Sequence, residues 1–162
     1  YPSKGMFEGT GITGYHETFL NVVPKVQNVS GMFRNCTLLK DCHYYKGSQV
    51  ETRNNSISED LFIENKVLSD TYYMFAGCSS LTSAPELPAT TLAESCYSNM
   101  FSGCTNLNYI KCLATDTTAN NCTNNWVSRV SNTGTFIKRP NIIWSIGTSG
   151  IPNRWTIVDA EI

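Results

Sequence analysis

One motif recurs along the chain at a fixed interval. Met32-Phe33-Arg34-Asn35-Cys36, Met74-Phe75-Ala76-Gly77-Cys78 and Met100-Phe101-Ser102-Gly103-Cys104 share it, each with a Leu three residues after the Cys (Leu39, Leu81, Leu107). A fainter copy opens the chain at Met6-Phe7-Glu8-Gly9, with Thr10 where Cys would stand, and a degenerate one follows at Trp126-Val127. Met6 to Met32, Met74 to Met100, Met100 to Trp126 and Cys96 to Cys122 are all 26 residues apart. A register held in this way predicts an array of supersecondary units, each burying its apolar side against the next.

The interval from Met32 to Met74 is 42 residues. The surplus lies in a polar insertion at about 40–66, which includes Glu51-Thr52-Arg53-Asn54-Asn55-Ser56. Insertions in repeat proteins map to loops on one face, often the binding face. A tolerated surface loop is the other reading, because closure entropy grows slowly with loop length.

Within a unit, Leu92, Cys96 and Met100 recur four apart, as on one face of a helix. Thr91 with Glu94 forms a capping box, Pro88 stands just upstream, and Gly103 falls where a left-handed C-terminal cap is favoured. The next unit repeats the design with Ala119, Cys122, Trp126 and Val130, and the alternation over 107–113 suits a brief strand. The expected fold is an α/β repeat solenoid over residues 1–130, similar to leucine-rich repeats, with short parallel strands and short helices. Residues 131–162 do not follow the motif and are expected to form a β-rich cap. Trp144 and Trp155 are large enough to cover the last exposed core face. Exposed, they would serve instead as platforms for a sugar ring.

The core Met-Phe-x-Gly-Cys-x-x-Leu, followed by Pro85-Glu86-Leu87-Pro88-Ala89-Thr90-Thr91-Leu92, resembles the BspA-like leucine-rich repeats of bacterial surface proteins. Asn28-Val29-Ser30-Gly31-Met32-Phe33 is similar to related surface repeats with a Val-x-x-Met-x-x-Met-Phe theme. The resemblance spans about 23–130. It implies an extracellular, curved solenoid on a bacterial cell surface or secreted from it, with a role in adhesion or protein binding and no catalytic residues to carry over. The insertion and the replacement of the last motif by Trp126-Val127-Ser128-Arg129-Val130 depart from the pattern.

Lys plus Arg number 12 against 13 Asp plus Glu, a balance that gives no broad basic footprint for nucleic acid. No apolar run is long enough to span a bilayer. Polarity comes from 16 Asn, 18 Thr and 16 Ser. Seven cysteines with no paired C-x-x-C knuckle, and only His16 and His43, argue against a metal site. Cys36, Cys78 and Cys104 share one motif position, so a ladder of buried thiols is expected, with a Cys36–Cys42 disulfide as the alternative. Gly9-Thr10-Gly11-Ile12-Thr13-Gly14 lacks the lysine of a phosphate cradle, and no nucleophile–base constellation can be assembled. The reading is a protein without catalytic activity, cofactor or metal. The chain opens at Tyr1 with neither an initiator Met nor a leader segment, as a mature product or an excised domain would.

Three functions fit: adhesion or binding to a host or bacterial surface protein, glycan binding, or a structural stalk or tip of a surface or phage fibre. In each the chain would be a monomeric domain of a larger protein. Candidate ligand-binding residues are His43, Tyr44 and Tyr45 at the start of the insertion, and Thr82 and Tyr109 on the expected sheet face. Adjacent tyrosines on an extended segment point to opposite faces, so one can anchor while the other recognises a ligand.

Overall fold

The computed structural model describes residues 7–11, 33–39, 44–46, 49–51, 73–84, 87 and 90–162. Among these residues are five short strands: β1 (Tyr44–Lys46), β2 (Gln49–Glu51), β3 (Tyr109–Cys112), β4 (Thr135–Lys138) and β5 (Thr156–Asp159). β3, β4 and β5 form one open parallel sheet in that order, with Tyr109 opposite Thr135 and Thr135 opposite Thr156. Parallel bridges Ser83–Tyr109, Leu87–Cys112 and Thr91–Asp116 extend the pairing on the other side of β3. β1 and β2 make a separate antiparallel hairpin, with Lys46 opposite Gln49.

The helices expected at 91–101 and 119–130 are not there, and no described residue is helical. These segments are chains of four-residue turns. Ser95, Asn99 and Gly103 have φ of 57°, 55° and 80°, and Asn121, Asn125 and Arg129 repeat the pattern at 55°, 50° and 61°. A left-handed residue at every fourth position breaks the i to i−4 ladder that a helix requires. The four-residue spacing of Leu92, Cys96 and Met100 is therefore the turn period, which imitates a helical face. Gly103 does adopt the left-handed conformation expected of it, at φ of 80°, and Gly77 does the same at 75°, but they close turns rather than helices.

The backbone hydrogen bonds show how such a segment is held. Amides of Cys96, Ser98, Met100, Ser102 and Cys104 each donate to the carbonyl three residues earlier. The alternate amides, of Ser95, Tyr97, Asn99, Phe101 and Gly103, each donate to the carbonyl 25 residues later, in 120–128. The same forward bonds run from Phe33 to Met74, from Phe75 to Met100 and from Val127 to Thr148. Every such bond on this side of the molecule points the same way along the chain.

Side chains follow the same order. Phe7, Phe33, Phe75 and Phe101 stack in sequence at ring-centroid separations of 5.8, 5.5 and 5.8 Å. Trp126 continues the row, tilted on Phe101 and stacked on Trp144 at 5.7 Å. Met74, Met100, Leu39, Leu81 and Leu107 are fully buried beside these rings, while Met32 lies outside the described residues. Burial of rings and aliphatic chains in one continuous column supplies the main stabilisation. Trp144 and Trp155 are 7% and 6% exposed, so neither is a platform for a ligand. Residues 131–162 contribute β4 and β5 to the sheet, and β5 is exposed at every position.

Candidate functional site

The six cysteines among the described residues are buried free thiols. Cys36, Cys78 and Cys104 donate to the carbonyls of Phe7, Phe33 and Phe75 at 2.9, 2.9 and 3.0 Å, across one step of the ring column. Thr10, standing where Cys would, donates its hydroxyl to the Phe7 carbonyl at 2.8 Å. The thiol is thus a hydrogen-bond donor between neighbouring segments as well as a small apolar filler. Burial pushes the thiols of Cys96 and Cys112 up to about 12 and raises that of Cys122, so none is a nucleophile at neutral pH. Among the described residues no group of three His, Cys, Asp or Glu side chains could hold a metal ion.

The candidate residues divide into two sets. Tyr44 and Tyr45 lie on β1, paired with Glu51 and Val50, and His43 falls outside the described residues. Thr82 and Tyr109 are brought together at the sheet: the Asn108 amide donates to the Thr82 carbonyl at 2.9 Å, and Ser83 bridges to Tyr109. Thr82 is exposed and Tyr109 half-buried.

Two cavities open beside the turn segments, among residues that the sequence did not mark as ligand-binding. One cavity of about 320 Å³ has Gly77 and Gly103 in its floor, with Arg34, Tyr73, Ser102 and Arg129 around it. The Arg34 guanidinium sits 4.7 Å over the Tyr73 ring, which fixes its position by cation–π attraction. A second cavity of about 290 Å³ is lined by Arg129, Ser131, Asn132, Thr148, Asn153 and Arg154, together with apolar side chains. Arg129 borders both. Among the described residues no Asp or Glu lines either one.

Arg129 occupies the motif position held by Gly77 and Gly103. It keeps their left-handed backbone at φ of 61°, and Arg154 adopts φ of 68°. A Cβ built on Gly103 would lie 3.8 Å from Arg129 Nη2, so the guanidinium reaches back over the glycine floor. In the sequence, an arginine replacing glycine in the last motif was the available signal; its neighbours come from segments far away along the chain. No family model matches this chain, and no curated protein or solved structure shows a significant likeness to it.

Proposed function

We propose that the chain is a non-catalytic extracellular recognition module of the BspA-like surface type, a solenoid that presents one face of stacked turns to a macromolecular ligand. The observation that carries this reading is the pair of adjoining cavities sharing Arg129, whose arginine, hydroxyl and amide side chains the interior does not use. The described thiols and the stacked Phe and Trp rings are internal, where they join one segment to the next. That division suits a scaffold with a recognition surface, since binding residues sit best on a rigid framework.

The partner class is a host or bacterial surface macromolecule. Glycan is favoured as a second reading, alongside protein, by the hydroxyl and amide side chains around both cavities. The test is adhesion: the full chain, immobilised on beads, is presented with intact cells and with extracellular matrix. Saturable retention that the soluble chain competes away is the expected result. A structural stalk would give no retention above uncoated beads.

A further inference from the structure

The turn-side ladder has a direction and an end. Amides of Gly9, Asn35, Gly77 and Gly103 donate forward to the carbonyls of Arg34, Ala76, Ser102 and Ser128. Arg129 holds the next equivalent position, and among the described residues its amide meets no acceptor. Peptide dipoles aligned by these one-way bonds add as they do in a helix, with the positive end at the last unpaired donors. That end borders the second cavity, where the guanidiniums of Arg129 and Arg154 are also found.

Resting on the reading of a recognition module, we infer that this face is a binding site for an acidic polysaccharide, a chain bearing carboxylate or sulfate groups on its sugars. The backbones of Arg34 and Arg129 stand three hydrogen-bonded steps apart on the ladder, about 14 Å at the usual interstrand spacing, and the Arg129 side chain reaches back over Gly103 to share one cavity with Arg34. Arg154 extends the series beyond Arg129. Guanidinium binds carboxylate and sulfate by paired N–H donors, and a spaced series of them matches a polymer with repeated anions better than a single small anion. Among the described residues none of these three arginines has an acidic partner to displace. The neutral lining supplies Asn35, Ser102 and Thr105 in one cavity and Ser131, Asn132 and Thr148 in the other, donors and acceptors suited to sugar hydroxyls. Each cavity is at the small end of the range for small-molecule sites, which suits one sugar at a time rather than an apolar peptide anchor.

Calorimetric titration of the full chain with a short oligogalacturonate, a sulfated glycosaminoglycan fragment, a neutral maltooligosaccharide and a polyglutamate peptide tests this. One or both acidic glycans bind, more weakly as salt rises, while the neutral sugar gives no heat and the peptide binds more weakly. Arg129→Gly, which restores the motif glycine, weakens glycan binding by at least about tenfold, in line with loss of a charge-assisted contact, without lowering the melting temperature. Arg154→Gln gives a smaller loss in the same direction. Equal binding of the neutral sugar, preference for polyglutamate, or unchanged affinity in both variants overturns the inference. Should no acidic glycan bind while cells are still retained by wild type and Arg129→Gly alike, the inference fails and the recognition-module reading stands. If cells are not retained either, both fail.

Discussion

At the scale of single residues, the thiols do two jobs that are usually separate. They fill small gaps between rings, and they give a neighbouring carbonyl a second donor: the Phe33 carbonyl takes both the Cys36 amide and the Cys78 thiol. Such thiols have a signature in pH. Cys96 and Cys112 lie at about 12 in the folded chain because burial disfavours the thiolate, against 9.0 for an ordinary cysteine. Above pH 9 the unfolded chain releases protons that the folded chain keeps. Their contribution is therefore complete below pH 9 and is lost as pH rises toward 12. Chemical unfolding followed from pH 8.5 to 10 should show stability falling by roughly 1 kcal/mol per thiol. A flat profile would mean that these thiols meet water. A thiol reagent at pH 8 should likewise label the native chain at these positions only as fast as it opens.

At the scale of the element, a turn ladder and a helix make opposite demands on the same residue. Asn99 has φ of 55°, a conformation that Asn and Gly accept and Ala resists. Asn99→Ala should cost about 1 kcal/mol, whereas Asn99→Gly should be close to neutral. In a helix interior the order reverses, because Ala is the best helix former and Gly nearly the worst. Thermal melts of the two variants decide between the elements. The buried positions were legible in the sequence, since Leu92, Cys96, Met100 and Cys104 are all interior. The backbone was not, because a four-residue turn and a 3.6-residue helix place the same residues inward over three turns. The distinguishing signal lay in the outward residues. Of nine non-glycine residues with positive φ among those described, five are asparagine, which accounts for part of an otherwise unexplained Asn-rich composition.

At the scale of the whole molecule, residues 131–162 close the ring column on one side. Trp126 packs on Trp144 and Phe136 and donates its indole N–H to the Gly150 carbonyl at 2.8 Å. A chain ending at Val130 would expose that ring and strip β3 of its partner β4. It should bind a hydrophobic dye and lose its cooperative melt, whereas a chain lacking only Glu161 and Ile162, both exposed, should melt as wild type. The recurrence of Met-Phe-x-x-Cys made this column legible from sequence, because volume and apolarity at fixed spacing leave few other uses for those residues. The arginine face was not legible: Arg129 meets Arg34 at one cavity and Arg154 at the other only through stacking, and no local pattern joins them. The alternating use of amides also governs how a chain of this kind can change length in evolution. From Ser95 to Cys104 odd-numbered donors bond outward and even-numbered donors bond within their own turn. Loss of one residue there would exchange the two sets downstream and leave both without acceptors, so only changes that preserve parity can survive inside the ladder. Odd insertions are confined to the connecting segments, and the family of viable lengths is correspondingly sparse.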